Sequence, residues 1–125
     1  MGWKDHKLQG IGARRVTLKK SGTIAATDVD KPGKPGTNPL EIALGTAGTR
    51  IRGMIEQVNG DDVTVLEEGW VWINYSGTAP TAQAVNKLEC DGSGGVNVDA
   101  INGRDLWVEK VDTTNTKCLV WLELN

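Results

Sequence analysis

Phenylalanine is absent from the 125 residues, histidine occurs once and cysteine twice, and no apolar run approaches the length of a bilayer span. Each shortage narrows the range of functions. The single histidine, His6, lies beside Lys4 and Asp5 in a glycine-bearing N-terminal stretch. A Ser-His-Asp or Cys-His site there would lack a rigidly held base, so no catalytic residue is assigned. Cys90 and Cys118 fall in different strand-like segments without C-x-x-C spacing, a poor metal or redox pattern, and read as two reduced strand residues. A disulfide would need their strands side by side. Gly10-Ile11-Gly12-Ala13-Arg14-Arg15 and Gly92-Ser93-Gly94-Gly95-Val96-Asn97 each miss the last glycine of a dinucleotide fingerprint. Gly33-Lys34 is preceded by Asp28 and followed by Pro35, which breaks a P-loop. Asp91-Gly92-Ser93-Gly94 lacks the closing Glu of a calcium loop, and the carboxylate pairs Asp61-Asp62 and Glu67-Glu68 read as a turn and a solvated strand end. No metal and no cofactor are expected. The start has no apolar signal segment, so the expectation is a chain made and used without export and without a membrane.

What is present is glycine, sixteen residues, together with Val, Leu, Ile and five Trp. The pattern is short β throughout. Two apolar runs, 51–58 and 63–66, flank Asn59-Gly60-Asp61-Asp62, a strong hairpin signal. Gly69 to Tyr75 alternates Trp70 and Trp72 with Val71, Ile73 and Tyr75, a strand with bulky groups on both faces, and Gly69 reads as a bulge or corner. Further strands are expected at 87–90 and 96–98 around the Asp91–Gly95 turn, and at 106–111 and 118–124 around a polar loop. In the last of these Cys118, Val120, Leu122 and Leu124 form the better core face. A short helix is possible at Pro80 to Asn86, and Leu40 to Leu44 is a strand or a helical turn. The whole predicts an all-β domain, a small β-barrel of short antiparallel strands, over residues 39–125.

Residues 1–38 look different. They carry eight Lys or Arg against three Asp, whereas residues 39–125 carry six basic and thirteen acidic residues. With a Pro/Gly-rich stretch from Lys31 to Pro39, this reads as a basic extended arm and linker joined to an acidic β domain. Within the arm, Val16 and Leu18 alternate with polar residues as a short strand that could add to a partner's sheet edge, and Trp3 and Leu8 are possible anchors.

Trp70, Trp72, Trp107 and Trp121 can stack bases or sugars when they share an exposed sheet face. The favoured reading is that they fill a core or an oligomer interface, because the acidic body would repel phosphate. The alternative is a single-stranded nucleic-acid-binding β-barrel module with bases on Trp70 and Trp72. A sugar-binding module is compatible with the Trp content, but nothing in the sequence specifies a sugar.

Arg52-Gly53-Met54-Ile55-Glu56-Gln57-Val58, Tyr75-Ser76-Gly77-Thr78-Ala79-Pro80, Lys87-Leu88 and Asp91-Gly92-Ser93-Gly94-Gly95-Val96, in that order, resemble the capsid cement (head decoration) proteins of tailed bacteriophages. The resemblance covers about residues 48–124 and implies a β-tulip-like domain that is not an enzyme. It further implies a homotrimer on the outer capsid surface of a virion, made in the cytoplasm of a host bacterium, that binds and stabilises the major capsid protein without nucleic acid. On that reading Trp3, Leu8, Arg14, Arg15, Val16, Leu18, Lys19 and Lys20 form the capsid-binding arm. The four body tryptophans form core or oligomer interface.

Overall fold

The computed structural model describes residues 13–123. Nine strands are defined: β1 (Arg14–Lys20), β2 (Pro32–Pro35), β3 (Glu41–Leu44), β4 (Gly53–Asn59), β5 (Asp62–Asn74), β6 (Ala84–Cys90), β7 (Val96–Val98), β8 (Arg104–Asp112) and β9 (Lys117–Leu122). The only helical element among the described residues is a 3-10 turn at Ala26–Asp28. The all-β expectation holds.

The strands β1, β3, β2, β4 and the first half of β5 pair in that order, and β5 returns to β1, closing a five-stranded barrel. All pairs are antiparallel except β1 with β3. Leu18, Ile24, Ile42, Ile55, Val63 and Val65 fill its interior. At Gly69, whose φ of 137° lies where side-chain-bearing residues are rare, β5 leaves the barrel. Its second half then pairs with β9, followed by β8, β6 and β7. The predicted corner is there. This second sheet curls until Tyr75 bridges Val96 in parallel, with the Ser76 N–H donating to the Val96 carbonyl at 2.9 Å. Its inner face carries Ile73, Tyr75, Leu88, Leu106, Val108, Cys118, Val120 and Leu122, joined by Ile51, Met54 and Leu66 from the barrel side.

Three expectations need correction. Residues 14–38 are not an arm. Strand β1 pairs with β5 from Arg14↔Glu68 to Lys19↔Asp62, and Leu18 and Ile24 are core, so no boundary separates them from residue 39 onward. The Pro/Gly stretch contains β2, a four-residue strand flanked by β3 and β4. Proline fits because the strand is short and its prolines lie at its ends, which limits the lost ladder bonds. Gly33 fits because the Ile42 side chain occupies the space a Cβ would need. The stretch 80–86 forms no helix. Gln83 has a φ of 54°, and the Asn86 side chain clamps the loop by accepting from the Thr81 N–H and donating to the Thr81 carbonyl, both at 2.9 Å. Leu40 to Leu44 resolves as β3, entered through Leu40 at φ 64°.

Candidate functional site: an aromatic sheet face and its groove

Period-2 alternation sends Val71 and Ile73 to the inner face of the second sheet and Trp70, Trp72 and Asn74 to the outer one. Register then aligns the aromatics across strands. Val85 on β6 stands opposite Trp107 on β8, Trp107 opposite Trp121 on β9, and Trp121 opposite Trp70 on β5. One row of large side chains therefore crosses four adjacent strands. Trp70 and Trp121 meet edge to face, with ring centroids 5.3 Å apart and planes at 60°, a favoured aromatic geometry. The Trp107 indole N–H donates to Glu109 Oε1 at 3.2 Å. Val85 is 62% exposed, Trp72 43% and Trp107 37%, while Trp70 and Trp121 are half-buried.

The core reading of the tryptophans is thus overturned. None is fully buried, because the inner face is already filled by the alternating Val, Ile, Leu and Cys positions. What remains is an outer apolar face, the kind of surface that marks an interaction site when its members are contiguous.

Beside this face lies a groove of about 310 Å³, lined by Trp70, Trp72 and Asn74 of β5, Lys117 of β9, Arg15 of β1, Glu56 of β4 and Asp30. Arg15 Nε donates to Glu56 Oε1 at 2.5 Å across the β1 and β4 strands that flank β5. Both lie at β-bulges, Arg15 beside the irregularity at Arg14/Arg15 and Glu56 within the one at Ile55/Gln57. Such bulges redirect side chains.

No family model and no curated protein matches this chain. The residues themselves carry the functional reading.

The rest of the expected arm set is dispersed. Leu18 is buried in the barrel and Val16 packs partly against that core. Lys19 holds Asp62 at 2.5 Å, which raises the lysine pKa through their hydrogen bond. Arg14 reaches Glu67 at 3.4 Å, and the Lys20 N–H donates to the Asp61 carbonyl at 3.0 Å. Trp3 and Leu8 lie outside the described residues. Of the described cations expected to steer the chain to a partner, Arg14, Arg15 and Lys19 are therefore ion-paired within it, whereas the Lys20 contact is made by its backbone alone. Glu67, expected at a solvated strand end, is instead buried between Arg52 and Arg14.

Chemistry of other kinds finds little support among the described residues. No three His, Cys, Asp or Glu side chains gather as a metal site, and no helix is long and apolar enough to cross a membrane. Cys90 and Cys118 are free and buried, and burial pushes the Cys118 thiol up to about 11, the reverse of what a nucleophile needs. The buried Arg104 donates to the Ile51 carbonyl at 3.0 Å and ties the second sheet to the segment entering β4. Sequence alternation alone could have placed Asn74 with Trp70 and Trp72. Asp30, Glu56, Val85 and Lys117 join the site only through tertiary pairing.

Proposed function

We propose that this chain is a structural binding protein of the capsid-decoration type: a homotrimer that attaches to the outer surface of a tailed-phage capsid, stabilises the major capsid protein lattice and catalyses nothing. On this reading it is made in the bacterial cytoplasm and retained on the virion. The observation that carries the proposal is the outward-facing row Val85–Trp107–Trp121–Trp70 across four adjacent strands, with Val85 and Trp107 exposed and Trp121 and Trp70 half-buried. Aromatic residues are enriched where proteins meet and supply much contact area for little side-chain entropy. The turn motifs of the resemblance fall in β4, in the loop after β5 and in the β6–β7 turn, a placement compatible with it.

A ring of three uses a head-to-tail contact, so the aromatic row must meet a different surface on its neighbour. Among the described residues, Ile101 in the β7–β8 loop and Leu40 before β3 are, with Trp72, the large exposed apolar side chains outside the row, and at 87% and 74% exposed they are suited to that second half. Lattice stabilisation then follows from binding the assembled shell in preference to the free subunit, multiplied by repetition over its surface.

Light scattering provides the test. The expected mass is three times the 13.4 kDa chain, unchanged by short single-stranded DNA, with co-sedimentation on shells of the cognate major capsid protein. Trp107→Ser with Val85→Ser should leave the fold intact and abolish the trimer. A monomer that shifts on adding DNA would replace this reading with the nucleic-acid module. A trimer unaffected by the double substitution would remove the aromatic row from the interface.

A further inference from the structure

We propose that the groove beside Trp72, which adjoins the apolar row at Trp70, is a binding site for a neutral saccharide. Three features of the groove point to this class of ligand. The first is shape and stacking. Trp70 and Trp72 lie two residues apart on one face of β5, about 7 Å along the strand. The edge-to-face contact with Trp121 occupies part of Trp70, which leaves Trp72 as the main platform. The C–H face of a pyranose ring is apolar and slightly positive, a match for the negative face of an indole. The groove volume of about 310 Å³ lies at the small end of ligand pockets and suits a short saccharide.

The second feature is charge. The lining holds two cations, Arg15 and Lys117, and two anions, Asp30 and Glu56. Arg15 and Glu56 neutralise each other at 2.5 Å. A phosphate backbone would meet Asp30 and Glu56, and a cationic ligand would meet Arg15 and Lys117. Nucleic-acid grooves carry an excess of basic groups that this one lacks.

The third feature is hydrogen-bonding capacity. The Asp30 carboxylate accepts, the Lys117 ammonium donates and the Asn74 amide does both; among the described residues none of the three makes a side-chain hydrogen bond, although the Lys117 charge also acts on the nearby Asp112 carboxylate. Sugar hydroxyls donate and accept at once, so a single ring can satisfy such a mixed set. The positions are also fixed. Asp30 has a φ of 73°, and its N–H donates to the Ile55 carbonyl at 2.7 Å, while β-bulges lie at Arg15 and Glu56. Uncommon backbone conformations and bulges gather where a side chain must be aimed.

The test is indole N–H NMR on the full chain, with the Trp signals assigned through Trp→Phe variants. The probes are maltotriose, cellotriose, mannotriose and tri-N-acetylchitotriose, with a thymidine hexanucleotide as the polyanion. At least one trisaccharide should shift the Trp72 indole and the Asn74 side-chain amide saturably and leave the Trp107 indole in place. Trp72→Ala should weaken binding about tenfold or more and Asp30→Asn, which tolerates the φ of 73°, several-fold, with both variants still folding cooperatively. The proposal is overturned if no trisaccharide moves the Trp72 signal at about 20 mM, well above the ~1 mM dissociation constant of a weak site. It is equally overturned if only the oligonucleotide does so, or if the shifts fall on Trp107 and Trp121.

Discussion

Removing Arg52 should destabilise the protein more than removing its partner Glu67, although the two form one ion pair. Glu67 is 4% exposed, Arg52 26% and Arg14 63%. Arg52→Gln leaves a buried carboxylate whose remaining cation, Arg14, lies 3.4 Å away and faces water. Breaking a buried pair in this way costs about 3–5 kcal/mol, because the charge left behind has lost its solvent. Glu67→Gln leaves cations that reach water by small side-chain movements, and the amide oxygen still accepts a hydrogen bond. Its cost is then closer to the about 1–3 kcal/mol of an imperfectly replaced buried hydrogen bond. The double variant should cost less than the sum, since the two residues share one interaction. Urea unfolding followed by Trp fluorescence reads this directly. With a slope of about 1–3 kcal/mol per molar urea, a difference of 2 kcal/mol between the single variants separates their midpoints by about 1 M. Equal midpoints, or a lower one for Glu67→Gln, would refute the argument that burial of the orphaned partner decides the cost.

Two further outcomes are expected. Gly53→Ala should cost about 2–3 kcal/mol, because a Cβ there runs into the Val65 side chain and lies 2.7 Å from the Leu66 carbonyl oxygen, between β4 and β5. Gly60→Ala, in open space but at φ 64°, should cost only about 1–2 kcal/mol, and thermal midpoints in the reverse order would reject the steric account. The buried thiols should resist alkylation at pH 8 in the folded protein and react twice over in denaturant. Cys118 ionises near 9 when unfolded and about 11 when folded. Its raised folded pKa therefore contributes stability that is fully present below pH 9 and is lost as pH rises towards 11. Cys118→Ala should flatten that part of the urea-midpoint profile, and an unchanged slope would assign the loss to other groups.

The hairpins were legible because their signals are local. Gly60 and Asp61 form the two-residue turn between Asn59 and Asp62, one position along from the expected Asn-Gly pair, with Gly60 taking the positive φ. In the β6–β7 turn the Asp91 carboxylate accepts from the Ser93 and Gly95 N–H groups at 2.7 and 3.1 Å, as short polar side chains do in tight turns. In β9 alternation grouped Cys118, Val120 and Leu122 and their uniformly apolar character marked them as the inward set, while Leu124 of the same expected set lies outside the described residues. The fate of residues 14–38 was not legible. A run rich in Lys, Arg, Pro and Gly reads as an arm until its partners are known. Those partners lie far along the chain, with Arg15 and Glu56 separated by 41 residues and Lys19 and Asp62 by 43.

The sequence by itself determined that the chain is all-β, where its tight turns fall and which side chains share a strand face. These depend on backbone preferences and a two-residue period, both set by near neighbours. Only the tertiary structure decided that the barrel closes through β1, that Trp70 and Trp72 face outward and that Asp30, Glu56 and Lys117 gather beside them. Alternation divides a strand into two faces without saying which one the rest of the chain will cover. That choice belongs to the sheet as a whole, where Val, Ile, Leu and Cys from five strands fill one side and leave the tryptophans the other.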